Sequence, residues 1–215
     1  MGMFLLFTTS CSKDSNNNNN NGGSSITDAD GNIYHTVIIG TQTWMAENLK
    51  TTKYNDGSSI PNVTARSEWI DLSTGAYCNY NNQEKNATIY GRLYNWYAVN
   101  TGKLAPKGWH VPTDAEWTVL ADFLGGEDVA GDKMKTTTGW EDSMGATNES
   151  GFSALPGGFR LSFNGAFHSI GSNGVWWTST RYNAHNAWDR ELNCYSILHR
   201  HYAPYDGFSV RCVKD

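Results

Sequence analysis

The sequence has no cluster of lysine and arginine, no close pair of cysteines and few prolines, and these shortages exclude several classes of protein. Its 16 Lys and Arg residues are outnumbered by 21 Asp and Glu residues, giving a net charge of −5, so a nucleic-acid-binding role is disfavoured. Because the 4 cysteines stand far apart, no paired-cysteine site is predicted. No apolar run is long enough to cross a bilayer, and there is no internal repeat.

The sequence is instead rich in glycine and in large aromatic residues. It contains 22 Gly, 11 Tyr and 9 Trp but only 5 Pro, and 39% of its 215 residues are hydrophobic. This composition is typical of one globular domain with many loops, in which flat rings fill irregular gaps and glycines turn corners.

The first 25 residues are predicted to place this domain outside the cytoplasm. "MGMFLLFTTSC", residues 1–11, has the apolar stretch of an export signal and resembles a bacterial lipobox, with Cys11 as the lipidated residue. A plain cleaved signal or a cloning remnant is the alternative. Residues 12–25 are rich in Asn, Ser and Gly and are expected to form a flexible tether before a domain over residues 26–215. We therefore expect an exported lipoprotein of the outer membrane or cell surface.

Local patterns predict both helices and strands. "NIYHTVII" and "TWMAENL" are expected to form a hairpin around "GTQ". Thr113 and Glu116 form a capping box at the start of a helix that Gly125 can end, and a second helical pattern lies in "TIYGRLYNWYAV". Short strands follow in "GFSALPGGFR", "VWWTST", "AWDRELN" and "GFSVRCV". An α+β domain with an antiparallel sheet is predicted.

Two groups of residues have some features of a metal site. Asp28, Asp30 and Asn32 begin like a calcium loop, but isoleucines stand where that loop needs its glycine and its bidentate glutamate. We therefore predict an Asp-Gly turn there. His199 and His201 would point to the same side of a strand, but no third ligand is evident. No metal and no cofactor are predicted.

Five motifs occur in order along the chain: "YGRLYNWYAV", "GWHVPTDAEW", "GFSALPGGFR", "WWTST" and "GFSVRC". Over residues 26–215 they resemble the major paralogous domain family of Fibrobacter succinogenes, which is abundant in Bacteroidetes lipoproteins. "HVPTDAEW" is also similar to the "RLPTEAEW" signature of the formylglycine-generating-enzyme type of C-type lectin fold. The resemblance implies an α+β, C-type lectin-like domain with two helices, a small twisted antiparallel sheet and long irregular loops, and a binding surface near the C-terminus.

The resemblance to the Fibrobacter family implies no established activity. Sulfatase-modifying enzymes of the formylglycine type need a paired or copper-binding cysteine site, whereas Cys78, Cys194 and Cys212 are far apart in this sequence. Ala105 stands where many relatives have a cysteine, and the calcium-binding "EPN" and "WND" motifs of sugar-binding animal lectins are missing. We therefore do not expect an enzyme, and an enzyme related to the formylglycine-generating group is the alternative.

The segment of residues 178–211 has an unusual residue content. It contains no Lys, Gln or Met, and residues 194–206 follow no strand or helix period. Random replacement of the two adenines in the asparagine codon AAC can encode every residue type found over 194–206, but not Lys, Gln, Met, Glu or Trp. This residue set resembles that of proteins diversified by a retroelement with adenine-directed mutagenesis, some of which are surface lipoproteins. An ordinary loop of the family is the alternative.

On either reading this segment is expected to bind a ligand. Tyrosine offers large contact area at low cost in side-chain entropy, His, Ser, Asp and Asn offer adaptable hydrogen bonds, and exposed Ile197 and Leu198 would suit an interface. Trp188 and Arg190 are expected to hold the scaffold. The residues predicted to contact the ligand are Tyr182, His185, Asp189, Glu191, Cys194, Tyr195, Ile197, His199, His201, Tyr202, Tyr205 and Asp206.

The expected partner is a protein or glycan on another cell, a phage or a host. The membrane is expected to be contacted through the lipid anchor alone. A structural envelope lipoprotein that recognises glycans without sequence variation is a further alternative. In each of these cases the protein acts by binding.

Overall fold

The computed structural model describes residues 24–143, 145–193 and 196–215. The predicted export signal, the predicted lipidation at Cys11 and residues 12–23 of the predicted tether lie outside the described residues. Strands account for 31% of the protein and helices for 20%, so the protein is mostly β. No helix within the described ranges is long and apolar enough to cross a membrane.

Strands and short helices alternate along the described chain. The strands are β1 (Ser25–Thr27), β2 (Ile33–Ile39), β3 (Gln42–Met45), β4 (Tyr77–Cys78), β5 (Leu93–Tyr94), β6 (Trp109–His110), β7 (Gly157–Arg160), β8 (Phe167–Ile170), β9 (Gly174–Arg181), β10 (Ala187–Leu192), β11 (Ile197–Tyr202) and β12 (Val213–Lys214). The helices are α1 (Arg66–Ile70), α2 (Glu84–Tyr90), α3 (Trp96–Val99), α4 (Asp114–Phe123) and α5 (Glu127–Met134), and a 3-10 turn spans Tyr80–Asn82.

The strands form two five-stranded sheets and a two-stranded ribbon. The order is β1-β2-β3-β12-β6 in one sheet and β11-β10-β9-β7-β8 in the other, and β4 pairs with β5. Both large sheets are curled half-barrels. The expected α+β, C-type lectin-like domain with two helices and a small antiparallel sheet is therefore wrong. The short β12 joins β3 to β6, both far away in sequence, and in the other sheet one pair, β7 with β9, is parallel.

The predicted hairpin near the start of the domain is confirmed. β2 and β3 pair antiparallel in a register that places Val37 opposite Trp44, and the Trp44 ring is fully buried. The predicted Asp-Gly turn precedes it, where the Asp28 carboxylate accepts hydrogen bonds from the backbone N–H groups of Asp30 and Asn32. Such a bond pattern closes a turn without a metal ion.

The helix predicted from the capping box is also confirmed, as α4. Thr113 Oγ1 accepts a hydrogen bond from the backbone N–H of Glu116 at 3.2 Å, and the Glu116 carboxylate accepts one from the backbone N–H of Thr113 at 2.7 Å. After the helix, Gly125 has a φ of 108° and the Gly126 N–H donates to the Ala121 carbonyl at 2.9 Å. This pattern is a Schellman motif, which satisfies carbonyls that the helix end leaves free.

The second predicted helix, over "TIYGRLYNWYAV", is wrong. The chain forms α2, then β5, then the short α3, because Gly91 interrupts the helix with a φ of 81°. A Cβ at Gly91 would lie 2.6 Å from Asn48 Cβ and 2.9 Å from the Leu49 carbonyl oxygen. Asn95 then begins α3 by accepting a hydrogen bond from the Ala98 N–H at 3.1 Å. The helical spacing of apolar residues continues past Gly91, but the helical backbone of α2 ends there.

The final run "GFSVRCV" is predicted to be one short strand, and this prediction is wrong, since of its residues only Val213 lies in a strand, β12. Gly207 bridges to β7, Phe208 to β5 and Ser209 to β9, while Val213 pairs with both β3 and β6. Polar and apolar side chains of the run are buried alike, including Arg211 with an exposure of 0%. Because it joins strands of both large sheets, the run has protein on every side.

Three arginines are fully buried and join separate segments of the chain: Arg160, Arg190 and Arg211. Arg160 donates to three backbone carbonyls of neighbouring loops. Arg211 donates to the Asn48 side chain and to the Phe152 carbonyl, and burial lowers the pKa of Arg211 to about 9. Hydrogen bonds of this kind offset the cost of burying a charge, so Arg160 and Arg211 fix the loops around the C-terminal segment.

Candidate functional site

The segment predicted to bind a ligand forms the end of β9, all of β10 and β11, and the loop after β11. β10 pairs antiparallel with β9 and β11, and its register with β11 places Trp188 opposite His201 and Asp189 opposite Arg200. β11 lies at the edge of its sheet, although its sequence has no strand period. Because an edge strand has a neighbouring strand on one side only, another molecule can reach this part of the protein.

Four rings of this segment contact one another, and we call Tyr182, Trp188, His199 and His201 the aromatic ladder. The His201 ring stacks on Tyr182 with centroids 4.0 Å apart, and Trp188 contacts Tyr182 at 4.5 Å and His199 at 3.9 Å. Tyr182, His199 and His201 are exposed and Trp188 is partly exposed. The ladder is a supported aromatic surface, which can contact a ligand with little further loss of side-chain entropy.

The ladder is fixed to the helices beneath it by Arg190. Its guanidinium lies 2.8 Å from the Asp114 carboxylate of α4 and 2.8 Å from the Glu127 carboxylate of α5. His199 Nε2 lies 2.9 Å from the same Asp114 oxygen. Burial and the Arg190 charge lower the pKa of His199 below its usual value. Both effects therefore favour the neutral form of the His199 ring.

An open groove of about 670 Å³ lies beside the ladder, and we call it the C-terminal groove. The predicted binding segment supplies Asn186, His201, Tyr202, Ala203, Tyr205 and Asp206. The rest of its lining is Ile70, Asp71, Leu161, Ser162 and Phe163. Since His201 belongs to both the ladder and the groove, the two form one continuous surface.

Asp206 holds the loop that borders the groove. Its carboxylate accepts hydrogen bonds from the Ser162 N–H at 2.7 Å and the Ala203 N–H at 3.1 Å. Burial raises the pKa of Asp206 above its usual value, in spite of these hydrogen bonds. One carboxylate therefore joins the loop after β7 to the loop after β11.

A second buried carboxylate lies behind the groove. Asp189 is fully buried, and neither of its oxygens has a hydrogen-bond partner among the described residues. Since Ala187 lies opposite Tyr202 and side chains alternate along a strand, Asp189 is on the face of the sheet that carries Tyr202. The nearby Arg200 is paired with Glu191 at 3.2 Å. Burial first, and the Glu191 charge second, raise the pKa of Asp189 well above its usual value.

The residues predicted to contact a ligand lie at different depths. Exposed or partly exposed are Tyr182, His185, His199, His201, Tyr202 and Tyr205. Buried are Asp189, Glu191, Ile197 and Asp206, and Cys194 and Tyr195 lie outside the described residues. Ile197 is only 1% exposed and packs in the core with its cross-strand partner Leu192. The expectation that Ile197 is exposed is therefore wrong, because the start of β11 lies against α5.

The part of the groove that lies outside the predicted segment was missed from the sequence. Phe163 is 78% exposed and Ile70 is 40% exposed, and Asp71 is exposed beside them. No periodic pattern in the sequence distinguishes these residues from ordinary loop residues. The bridge between Arg160 and Gly207, together with the hydrogen bond from the Ser162 N–H to Asp206, brings the loop of Phe163 to the loop after β11.

The two described cysteines are free, buried thiols. Burial raises the pKa of Cys78 to about 12 and that of Cys212 above its usual value. A raised pKa lowers the fraction of nucleophilic thiolate at neutral pH. Within the described ranges, no group of three or more His, Cys, Asp or Glu side chains is placed to hold a metal ion.

Comparison with known protein families gives a match. The family model of the Fibrobacter succinogenes major domain matches residues 37–214, which include the whole ladder and the whole groove. No curated protein and no solved structure matches the chain.

Proposed function

The chain belongs to the Fibrobacter succinogenes major domain family, whose function is uncertain, and from this premise we propose that it is a binding protein displayed at the cell surface. Its ligand, a protein or glycan on another cell, a phage or a host, contacts the aromatic ladder and the C-terminal groove. Export and lipidation at Cys11 belong to the same proposal and rest on the N-terminal sequence. No catalytic role is part of it.

The observation that carries the proposal is that one segment supplies both the ladder and much of the groove. Exposed Tyr182 and His201 lie beside Tyr205 and Phe163 on a continuous surface. Contiguous exposed aromatic side chains are typical of interaction sites. Buried Arg190 holds the sheet beneath them, so the surface is organised before a ligand arrives, which reduces the entropy lost on binding.

We further propose that exposed positions of residues 178–211 are diversified between copies of the gene. The support is the residue set over 194–206, together with the placement of several of these side chains on an edge strand and a loop. Buried Ile197 and Asp206 contribute to packing and to loop closure. Variation is therefore expected at Tyr205 and His199 and is expected to be restricted at Ile197 and Asp206.

A binding assay with matched variants tests the proposed function. The labelled full chain is applied to arrays of glycans and of bacterial cells, beside Phe163→Ala and Phe123→Ala. Phe163 and Phe123 are 78% and 64% exposed, but Phe123 lies on α4, away from the groove. We expect a bound target that is lost with Phe163→Ala and kept with Phe123→Ala. Targets that bind both variants equally, or an absence of any target, would contradict the proposal.

Sequencing the gene across a natural population tests the diversification. We expect substitutions to crowd within residues 178–211 and to fall at adenines of a nearby template copy. Substitutions spread evenly along the gene, with no template copy, would contradict diversification and would leave the binding proposal standing.

A further inference from the structure

We infer that the C-terminal groove takes a positively charged group, namely a lysine or arginine side chain presented by a partner protein. The inference rests on the proposed binding function and specifies the class of its ligand. Three features of the groove support this inference: its charges, its aromatic rings and its shape.

The charged side chains that line the groove are mostly acidic. Asp71 and Asp206 both line it, no Lys or Arg does, and His201 is its one basic side chain within the described ranges. Asp71 is exposed and has no ion pair with any residue that the structure describes. A carboxylate without a partner at the wall of a groove attracts a cation, because the surrounding protein reduces screening by water.

The rings around these carboxylates suit the same ligand. Phe163, Tyr202 and Tyr205 line the groove, and the face of an aromatic ring attracts a cation through its quadrupole. The apolar stem of a lysine or arginine can lie along Phe163 and Ile70, both of which are exposed. The carboxylates and the ring faces therefore suit the charged end of a lysine or arginine side chain. The exposed apolar groups suit its stem.

The buried carboxylate behind the groove is an independent observation that favours a cation. Asp189 is fully buried with no hydrogen-bond partner among the described residues, and it is on the face of the sheet that carries Tyr202. Its nearest basic neighbour across the strand, Arg200, is already paired with Glu191. A buried carboxyl without a partner destabilises the fold, and a cation in the nearby groove would favour its charged form and so offset part of that cost.

The shape of the groove favours a polypeptide over a small molecule. The groove is open and continues into the aromatic ladder through His201, whereas small-molecule sites enclose most of their ligand. A protein can present one basic side chain to the groove while its neighbouring residues contact Tyr182 and Trp188. The net charge of −5 also favours a basic partner surface.

Selection of peptides against the full chain tests the inference. Random peptides of about twelve residues are displayed on phage and selected on the wild-type chain. Lys and Arg are then counted in the selected and unselected peptides. The affinity of the best peptide is measured by fluorescence anisotropy for the wild type, Asp71→Asn and Phe163→Ala, and for Asp122→Asn, an exposed carboxylate of α4 that serves as the matched control. The same peptide is also measured with its basic residues replaced by glutamine.

We expect Lys and Arg to be enriched, and affinity to fall about tenfold with Asp71→Asn or with the glutamine peptide, while Asp122→Asn binds like the wild type. Peptides without enrichment that still lose affinity with Phe163→Ala would overturn the cationic ligand and keep the groove as the binding site. Peptides that bind Phe163→Ala and Asp71→Asn like the wild type, or a selection that yields no peptide, would overturn both proposals.

Discussion

The His201 imidazole stacks on the Tyr182 phenol ring with centroids 4.0 Å apart and an interplanar angle of 11°. Tyr182 directly follows β9 and His201 lies on β11, so the intervening β10 must pair with both strands before the rings can meet. The stack therefore forms only when β9, β10 and β11 are all paired. It also fixes the orientation of two residues of the proposed binding surface.

Substitution of Arg190 should destabilise the protein far more than substitution of Arg200 on the paired strand. Arg190 is fully buried and bonded to Asp114 and Glu127, so Arg190→Ala should lower the free energy of unfolding by about 2–3 kcal/mol. Arg200 is half exposed and paired with Glu191, so Arg200→Ala should cost less than about 1 kcal/mol. Urea denaturation measures the free energy of unfolding of both variants. Equal losses would contradict the role of Arg190 in joining β10 to the helices.

Stability should depend on pH through His110. Burial lowers its pKa, but hydrogen bonds to Asp215 at 2.7 Å and Glu116 at 2.9 Å outweigh burial and raise the pKa above 6.5. A raised histidine pKa gives stability that is fully present below pH 6.5 and is lost as pH rises through the raised value. His110→Gln should therefore differ most from the wild type near pH 6 and least at alkaline pH. Urea denaturation from pH 5 to 9 checks this, and a constant difference would contradict it.

A methyl group at Gly91 should destabilise the protein more than one at Gly102. Both glycines have positive φ, 81° and 67°, so an alanine at either position is strained by at least about 1–2 kcal/mol, and the strain is greater at Gly91, whose ψ of −176° makes a combination that is essentially confined to glycine. A Cβ atom at Gly91 would also lie 2.6 Å from Asn48 Cβ, whereas no atom would lie within 4 Å of a Cβ atom at Gly102. Thermal unfolding should therefore show a larger loss for Gly91→Ala than for its control, Gly102→Ala. Equal losses would show that the contact with Asn48 is unimportant.

Neutralising Asp189 should stabilise the protein at pH 7. Burial and the Glu191 charge raise its pKa well above 3.8, so the folded state binds a proton more tightly than the unfolded state, and stability falls as pH rises from 3.8 through the raised value. Asp189→Asn removes this loss and should raise the free energy of unfolding at pH 7 by about 1 kcal/mol or more. Denaturation of both proteins at pH 4 and pH 7 checks this. A variant that is less stable at pH 7 would show that Asp189 has a favourable partner.

The sequence motifs indicated the family and several interior residues, but neither the sheet architecture nor the groove. "WWTST" contributes the fully buried rings of Trp176 and Trp177, and "GFSVRC" contributes the buried Phe208 and Arg211. These motifs indicated the right family because they form the interior. The Phe163 side of the groove has no comparable pattern, since an exposed phenylalanine in a loop looks ordinary until its neighbours in space are known.

The sequence by itself determined the local elements and the family: the hairpin of β2 and β3, the capping box of Thr113 and Glu116, and the ordered motifs. Each depends on residues close together in the chain, where hydrogen bonds and side-chain periods leave a local trace. Only the tertiary structure decided the two curled sheets, the burial of Ile197 and Asp189, and the groove. These depend on pairing between distant segments, such as β12 with β3 and β6, and a local pattern carries no information about which distant strand will be the neighbour.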